Sequence, residues 1–555
     1  MTKTNFLKFI IFVCLMAVTS SSLAGVRTER EMLAIAKEKL SKGRLDATRA
    51  AGKDIAKLVD EKQYCIYGRE DMGFVVVSRN DAFKPVIAYS DAKFDKNVIP
   101  CGMQWWLEGM SSVMEQGSYS QNAMTGTAKK AQAVDQLCAT EWGQGYPYNY
   151  KCPVFDSSKA PTGCVATAMA QIMKYFAYPA QGKGKGYYQK GGNAGRVTEP
   201  TTSVYEWDKM LNQYDSEKTL PDEECLPIAT IMKEAGLAAH MNYDESGSGA
   251  YATSAAYGFC NNFSYDSLAM HCYDRDYFDN EKWMDIIYDE LAAKRPILYT
   301  GVDKASGGHA FVFDGYDENG FIHVNWGWDG RGNGYFDIAD LAPVTNPREG
   351  PTAHYNYNQT MVVGFKCQST PDADEKYKSM ICTDAYTISF TKQMLTVKSE
   401  NLYNLHFLTF YGNIGVYFVS EDGKPENNVF IQAGQGGYTT ASLYGMQGID
   451  NMVIYGSKVV PGNYTVYLAS KAVQDEEPQP VSCHGGPVCY HFKKNEDKSI
   501  EVSEQEKMAT AIQTVTLNKD MDHTKVYNLR GQFVGNDIHA LPSGVYIVGG
   551  KKVVK

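Results

Sequence analysis

The chain has 555 residues, of which 44% are hydrophobic and 21% are charged, as in an ordinary globular protein. This length is too great for one hydrophobic core, and about three or four domains are expected. The formal net charge is -10 and no basic stripe stands out, which excludes nucleic acid as an expected partner.

The start of the chain has the pattern of an export signal. Lys3 and Lys8 give it a positive charge, and an apolar run follows from Phe9 to Val18. Ser22 and Ala24 are small residues at the two positions that a signal peptidase reads. A membrane anchor is the alternative, but the apolar run is too short to span a bilayer. We expect cleavage after Ala24 and a secreted or cell-surface protein without a transmembrane segment.

Residues 25–130 form the first expected unit of the mature chain. The charged amphipathic stretch from Glu29 to Lys57 predicts a helix. Residues 73–89 predict two strands around a polar turn. The segment Ser118–Lys130 is polar and has no apolar periodicity, so it is predicted to be an exposed linker at which proteolytic cutting is easy.

Residues 131–366 mix helical and strand patterns. Helical stretches such as Val165–Phe176 and Trp283–Lys294 are followed by strand pairs within Pro296–Trp328. This mixture is typical of an α+β domain.

From Cys367 onward the sequence changes to short alternating runs punctuated by Gly, Asn and Pro. This pattern predicts a β-sandwich over residues 367–500. A linker near residues 495–507 and a small β tail over residues 501–555 are predicted to follow. No internal repeat of fixed period is present.

The cysteines allow several interpretations. Twelve remain after Cys14 leaves with the signal, and export would permit disulfides. Cys483 and Cys489 enclose Cys-His-Gly-Gly-Pro-Val-Cys, which we interpret as a small disulfide loop. Two unpaired thiols beside a turn are an alternative. A zinc site with His484 and His491 is another, but a second pair of ligands is missing, so no metal site is predicted.

The segment around Cys164 carries the strongest chemical signal. Pro161, Thr162 and Gly163 form a turn that offers a helix start, and apolar residues follow at helical spacing as far as Phe176. Cys164 therefore stands in the first turn of a buried helix, where N–H groups and the helix dipole stabilise a thiolate. A thiolate is a nucleophile, although this segment alone fits a buried structural cysteine equally well.

The second signal lies downstream, where a hairpin is predicted. Residues 310–315 and 321–326 are strand patterns joined by a polar turn. His309 at the start of one strand would lie near Asn325 and Trp326 at the end of the other. Cys–His catalysis needs this set, because the imidazole takes the thiol proton, an amide holds its tautomer and an aromatic ring excludes water.

Two further residues leave alternatives open. His323 on the returning strand competes with His309 but lacks the Gly-Gly lead-in. A lone histidine in a strand can also be a core residue. Gln144, about twenty residues before Cys164, can donate its amide to an oxyanion beside the Cys164 N–H, or can simply be an exposed loop residue.

Together these residues resemble the streptopain-like family of secreted bacterial cysteine peptidases, which have a papain-like fold. The resemblance covers roughly residues 131–366. The matching segments are Gly143-Gln-Gly-Tyr-Pro-Tyr-Asn, Thr162-Gly-Cys-Val-Ala-Thr-Ala-Met-Ala-Gln-Ile-Met-Lys-Tyr, Gly307-Gly-His-Ala-Phe-Val and His323-Val-Asn-Trp-Gly-Trp.

Carried over to the matching positions, the resemblance implies that Cys164 is the nucleophile and His309 the general base. It implies that Gln144 is an oxyanion-hole donor. Trp326 is expected to pack on the histidine, with Asn325 beside it as the orienting amide.

The family also implies a pro-segment that covers the cleft until it is cut off, and residues 25–130 are similar to such a segment. The cut is expected before Ala131, and the pro-segment is expected to inhibit its own enzyme. A hydrophobic pocket for the residue two before the scissile bond is implied as well, with Val302 as a lining residue.

The final residues, Gly544-Val-Tyr-Ile-Val-Gly-Gly-Lys-Lys-Val-Val-Lys, resemble the C-terminal sorting tails of secreted Bacteroidetes-type proteins. This resemblance implies secretion machinery as a partner. The expected fold class is α+β, ordered as a signal peptide (1–24), an α+β propeptide (25–130), a papain-like catalytic domain (131–366), a β-sandwich (367–500) and a β tail (501–555).

The expected function is that of a secreted cysteine endopeptidase made as a zymogen. Cys164 attacks a peptide carbonyl to form a thioester, and His309 protonates the leaving amine and then activates water. Protein or peptide substrates are expected, and no metal or organic cofactor is needed. An amidase or transpeptidase on the same fold is one alternative. A non-catalytic surface-binding protein is another, against which the intact set of site residues argues.

Overall fold

The computed structural model describes part of the chain. The described residues are 25–41, 55–69, 73–92, 94–116, 132–156, 158–191, 195–303, 307–341, 359–367, 380–391, 394–405, 409–432, 438–440, 445–446, 448–449, 452–455, 459–508, 526–528, 533–535, 545–548 and 551–554. The predicted signal peptide (1–24) and the predicted cut before Ala131 lie outside these residues.

The N-terminal region, residues 25–116, combines two helices with four antiparallel strands. Its first helix begins with a capping box, in which the backbone N–H of Thr28 donates to the Glu31 carboxylate and the Glu31 N–H donates to the Thr28 hydroxyl. Met32 and Ala36 on one face of this helix pack against the strands. The elements are α1 Glu29–Ser41, β1 Ala56–Asp60, β2 Tyr64–Arg69, β3 Gly73–Ser78, β4 Val86–Ser90 and α2 Cys101–Gln116.

The first helix is shorter than the sequence predicts. It ends at Ser41, and strand β1 begins at Ala56. Residues 56–60 pair with β2 instead of continuing a helix, because tertiary pairing outweighs the weak helical preference of a charged stretch.

The central region, residues 132–367, contains four helices and eleven strands among its described residues. The helices are α3 Cys164–Phe176, α4 Asp222–Ala238, α5 Ala252–Phe263 and α6 Asn280–Ala292. The strands are β5 Val154–Phe155, β6 Ser158–Lys159, β7 Lys185–Lys190, β8 Val197–Pro200, β9 Asn242–Tyr243, β10 His271–Asp274, β11 Ile297–Asp303, β12 Gly307–Tyr316, β13 Ile322–Asn325, β14 Gly334–Phe336 and β15 Thr360–Val363.

The N-terminal and central regions share one ten-stranded sheet. Its order is β1-β2-β3-β4-β14-β13-β12-β11-β15-β10, so β4 of the N-terminal region pairs directly with β14. Because side chains alternate between the two faces of a strand, Ala310 and Val312 of β12 point to the core beneath α3, α4 and α5. Phe311 and Phe313 point to the opposite core, which α2 and α6 cover. The fold is therefore α+β, as predicted.

The third region, residues 380–506, consists of two β sheets around an apolar core. A three-stranded sheet contributes Ile388 and Leu395 to this core, and a larger sheet contributes Val416 and Val466. The predicted sandwich architecture is confirmed. The strands are β16 Ile381–Thr383, β17 Tyr386–Thr391, β18 Met394–Ser399, β19 Leu402–Asn404, β20 Phe410–Ser420, β21 Val429–Gln432, β22 Tyr438–Thr440, β23 Gly445–Met446, β24 Met452–Tyr455, β25 Gly462–Ala472, β26 Gln479–Pro480, β27 Ser482–Cys483, β28 Gly486–Lys494, β29 Ile500–Val502 and β30 Glu506–Lys507.

Two details of this region differ from the sequence interpretation. Cys483 and Cys489 are both unpaired, so the predicted disulfide loop is wrong. Pairing of Cys483 with Gly486 closes the turn without a covalent bond. The predicted linker over residues 495–507 is also wrong, because β29 folds back as a hairpin partner of β28.

Residues 507–555 form a second compact unit. Its described strands pair in the order β32-β31-β33-β34, and β33 with β34 gives the expected hairpin. These strands are β31 Val526–Asn528, β32 Phe533–Gly535, β33 Val545–Val548 and β34 Lys551–Val554. In the described part of the whole chain, no helix is long and apolar enough to cross a membrane.

Candidate active site

Cys164 is the first residue of α3, as predicted. Gly163 precedes it with φ of 86°, in the region that favours glycine. A Cβ atom on Gly163 would lie 2.7 Å from the Met241 side chain and 3.0 Å from the Ser248 carbonyl oxygen. The close wall formed by Met241 and Ser248 therefore requires glycine immediately before the cysteine.

The Cys164 sulfur is surrounded by backbone donors. The N–H groups of Cys164 and Val165 in the first turn of α3 point to it, as does the N–H of Ala310 in β12. Burial raises the pKa of the Cys164 thiol, and these three donors oppose that effect. The sulfur is thus placed where a thiolate would be stabilised once a base removes the proton.

His309 lies near the start of β12, directly before Ala310. Its backbone pairs with Gly301 of β11, and the residue is only 8% exposed. Because the Ala310 N–H lies close enough to Cys164 to lower the pKa of its thiol, the cysteine lies near the strand residue that follows His309.

Gln144 belongs to a loop that is hydrogen-bonded to the residues just before α3. Its carbonyl accepts a hydrogen bond of 3.0 Å from the Thr162 N–H, two residues before Cys164. Asn149 at the end of the same loop donates its side-chain amide to the Ala160 carbonyl at 3.2 Å. These bonds hold the Gln144 loop beside the start of the helix.

The hairpin of β12 and β13 forms as predicted, but its register does not place Asn325 opposite His309. Asn325 is opposite Val312, three residues beyond His309. Its buried amide donates to the Thr140 carbonyl at 2.7 Å and to Gln171 Oε1 at 3.0 Å. Asn325 therefore joins the hairpin to α3. Its role as the amide that orients His309 stays a prediction, because these bonds are to other residues.

Gln171 is a residue of this site that the sequence analysis missed. Besides Asn325, it binds the hydroxyl of Thr140 at 2.9 Å through Oε1 and is fully buried. It lies seven residues after Cys164, two helical turns along the same face of α3. A long polar side chain in a helix of mostly apolar residues is the available signal, because buried amides need partners.

Trp326 is buried at the end of the hairpin. Its ring packs against Phe311 with centroids 4.8 Å apart and against Phe336 at 5.0 Å. Its Nε1–H donates to the Gly332 carbonyl at 3.0 Å. Since Phe311 follows His309 by two residues on β12, both point to the same face of the sheet, and Trp326 packs on that face through Phe311.

His323, the competing histidine, has a different environment. Its Nδ1 lies 2.6 Å from Asp314 Oδ1 in the sheet interior, and it is 6% exposed. The other oxygen of Asp314 accepts the Cys138 N–H at 2.9 Å. His323 is part of a buried structural pair.

Val302 lies beside His309 on the neighbouring strand. It pairs with Gly308, and its Cγ2 would lie 3.5 Å from a Cβ at that glycine. The side chain is half-buried. Val302 can therefore contact a substrate that lies next to His309.

Helix α2 of the N-terminal region lies over the histidine side of the site. A Cβ atom on Gly102 would meet the Trp326 ring at 2.7 Å and Phe311 at 3.1 Å. The Trp105 ring occupies the space that a side chain on Gly301, the strand partner of His309, would need. The helix is therefore packed directly on the residues around His309.

Polar contacts also hold the N-terminal region to the central region, where β4 pairs with β14. Lys84 Nζ forms an ion pair of 2.6 Å with the nearly buried Asp337. The Tyr89 hydroxyl donates to Asp317 at 2.8 Å, and its ring stacks on Tyr335. These contacts continue the backbone pairing of β4 with β14.

The site contains thiol, imidazole, amide and indole groups. Within the residues that the structure describes, no three His, Cys, Asp or Glu side chains cluster as a metal site requires. The arrangement is suited to nucleophilic attack by sulfur with a neighbouring base.

Comparison with known families assigns both parts of this arrangement. Residues 142–336 match the model of the peptidase C10 family, and residues 27–114 match the model of the Spi protease inhibitor. The first match contains the candidate site, and the second contains most of helix α2, which packs on the histidine side, and the strands that extend the sheet.

Individual relatives agree with these matches. Streptopain of Streptococcus pyogenes is 32% identical over 326 residues, which is 54% of this chain and 80% of streptopain. The thiol protease/hemagglutinin PrtT of Porphyromonas gingivalis is 29% identical over 336 residues, 55% of this chain and 37% of that protein. Among solved structures, a prointerpain A fragment of Prevotella intermedia aligns with a TM-score of 0.50 and 30% identity, covering 58% of this chain and 100% of the fragment.

Proposed function

Since the chain belongs to the peptidase C10 family and is a cysteine peptidase with an inhibitor-like propeptide region, we propose that Cys164 is its nucleophile and His309 its general base. The observation that carries this proposal is the closeness of the Ala310 N–H to the Cys164 thiol, whose pKa it lowers. It brings the sulfur to the backbone position next to His309.

The proposed reaction follows from the surroundings of the thiol. Because burial raises its pKa, Cys164 needs a base to become a thiolate at neutral pH, and His309 accepts the proton. The thiolate forms a C–S bond with the peptide carbonyl carbon, and the C–N bond breaks as His309 returns the proton to the leaving amine. A water deprotonated by His309 then cleaves the thioester and restores the thiol.

Gln144 and the Cys164 N–H are proposed as donors to the oxyanion. Replacing Gln144 by Ala is expected to lower kcat by about 10²–10³-fold with little change in KM, because the lost hydrogen bond is strongest in the transition state. Steady-state hydrolysis of a short peptide measures both constants. Gln144→Glu is the matched control and should lose a similar factor. A rise in KM at constant kcat would assign Gln144 to substrate binding instead.

Two other site residues have proposed roles. We assign Val302 to the pocket for the residue two before the scissile bond, because it borders His309 across the β11–β12 pairing. The role of Asn325 as orienting amide stays a prediction. Its bonds to Thr140 and Gln171 support a positioning role for the hairpin end.

Residues 25–130 are proposed to inhibit the enzyme until the chain is cut before Ala131. The match to the Spi protease inhibitor over residues 27–114 supports this role. The packing of α2 on the His309 side of the sheet supports it independently, because substrate would need the same space.

Export of the protein is also proposed. The charged, apolar and small residues of segment 1–24 support removal of a signal, and the final strands resemble a sorting tail read by secretion machinery. We propose a secreted or cell-surface location on these grounds.

The test uses the precursor from Gly25 under reducing conditions, with casein as substrate and a peptidyl epoxide as the thiol-directed label. We expect the precursor to shorten near residue 131, casein to be cut, and the epoxide to be found on Cys164 by peptide mapping. Label on a different cysteine, or casein hydrolysis that survives complete labelling, would contradict the assignment.

A further inference from the structure

Three of the twelve cysteines among the described residues are partly exposed, namely Cys101, Cys164 and Cys367, and the other nine are buried. Two of these three stand at the same place in different helices. Cys101 is the first residue of α2 in the N-terminal region, and Cys164 is the first residue of α3. Exposure and a helix N-terminus both favour reaction of a thiol.

Contacts on both sides of β12 bring the starts of these helices together. The N–H of Ala310 lies close enough to Cys164 to lower the pKa of its thiol. The next residue of the strand, Phe311, is the one against which Gly102 packs, and Gly102 directly follows Cys101. The two cysteines therefore flank the same end of β12.

The turn that follows β13 also packs around Cys101. Gly332 in this turn packs against Met103 and Pro100 on either side of the α2 start. The indole N–H of Trp328 is buried without a regular hydrogen bond. Its weak interaction with Cys101 Sγ lowers the pKa of that thiol.

The electrostatics agree with this proximity. The pKa of Cys101 is raised to about 11. Burial is the largest cause, and negative charge on Cys164 is the second. The N–H groups of Cys101 and Gly102 oppose the shift. The Cys101 thiol is thus close enough to Cys164 for charge on that sulfur to raise its pKa.

We propose that Cys101 and Cys164 are an oxidation-sensitive pair, which a peroxide converts into a disulfide that locks the N-terminal region onto the nucleophile. This inference rests on the proposed roles of Cys164 and of residues 25–130. One thiolate attacks hydrogen peroxide to give a sulfenic acid and water. The second thiolate attacks that sulfur, an S–S bond forms, and a second water leaves. In sum, two thiols and one peroxide give one disulfide and two waters.

The disulfide has a consequence that non-covalent inhibition lacks. A cut before Ala131 would no longer release the N-terminal region, because the bond joins residues on either side of the cut. Reduction of the bond would restore release. The precursor would therefore mature only where thiol reductant is present, although its peptide chain had already been cut.

The test uses the full precursor carrying His309→Ala, which keeps both thiols and prevents self-cleavage. The protein is treated with hydrogen peroxide, digested without reductant and mapped by mass spectrometry. We expect the peptides containing Cys101 and Cys164 to be joined with loss of two hydrogens, and to separate after dithiothreitol. Cys101→Ser in the same background should abolish the cross-link. Cys367→Ser, which removes the third partly exposed thiol, should leave it intact.

Recovery of Cys101 and Cys164 on separate peptides, in any oxidation state, would overturn the proposal, since it would mean that the Cα atoms do not reach the roughly 4.4–6.8 Å of a disulfide. A second measurement uses the wild-type precursor, treated with peroxide and then cut by added mature enzyme. Its N-terminal region should stay attached on a non-reducing gel and leave under reduction. The readout is a cross-link, so its failure is distinct from failure of the nucleophile assignment, which epoxide labelling tests.

Discussion

Replacing Cys164 by Ala is expected to reduce peptide hydrolysis at least about 10⁴-fold, to the level of background, because alanine cannot form the thioester. The variant precursor should also keep its N-terminal region when incubated alone under reducing conditions. Gel analysis of the precursor and a casein assay after cutting by wild-type enzyme measure the two effects. The fold should persist, because the substitution removes only one sulfur atom from a partly buried side chain.

Cys367→Ala is the matched control, since it removes another partly exposed thiol outside the site. It should retain wild-type activity. Residual casein hydrolysis above one hundredth of wild type in purified Cys164→Ala would show that a different group performs the attack. Retention of the N-terminal region with normal casein hydrolysis after cutting would restrict Cys164 to maturation.

The two histidines should respond oppositely to replacement. His309→Ala is expected to lower kcat by about 10³–10⁴-fold with an unchanged melting temperature, because it removes the base from the edge of the site. His323→Ala is expected to lower the free energy of unfolding by about 3 kcal/mol, because it leaves the buried Asp314 carboxylate without its 2.6 Å partner. Thermal unfolding and peptide kinetics on the same preparations separate the two effects.

A pH profile provides the control for His309. Wild-type activity should depend on pH through the ionisation of His309, and the residual activity of His309→Ala should lose this dependence. His323→Asn keeps a polar group facing Asp314 and should recover part of the lost stability. Full activity in His309→Ala together with inactive but stable His323→Ala would reverse the assignment of the base.

The local parts of the site were predictable because short-range chemistry determines them. A glycine before Cys164, followed by small and apolar residues at helical spacing, predicts the start of α3. Likewise, the polar turn between two alternating runs predicts the hairpin that follows His309. These features depend on neighbours in sequence, which a single chain displays directly.

The parts that were missed depend on contacts between distant segments. The hairpin register places Asn325 opposite Val312, where its amide binds Gln171, and the shift between Phe313 and Gly315 changes that register by one residue. Periodicity gives no measure of such a bulge. In the same way, nothing near Cys101 in the sequence indicates that its helix starts beside Cys164.

Some errors had a simpler cause. Cys483 and Cys489 are close in sequence, and proximity suggested a disulfide, whereas β27 and β28 already close that turn by strand pairing. Residues 495–507 are polar and were interpreted as a linker. Edge strands tolerate such composition, because one of their sides faces water.

The pairing of β4 with β14 has a consequence for the folding of the mature enzyme. Strand β14 spans only Gly334–Phe336, and in the precursor it is held between β4 and β13. During synthesis the N-terminal region emerges first, so its sheet edge is formed before β14 leaves the ribosome. After maturation that template is gone, and the remaining sheet must assemble from strands distant in sequence, which is slow. The enzyme that cuts substrate is therefore expected to refold more slowly than the precursor from which it came.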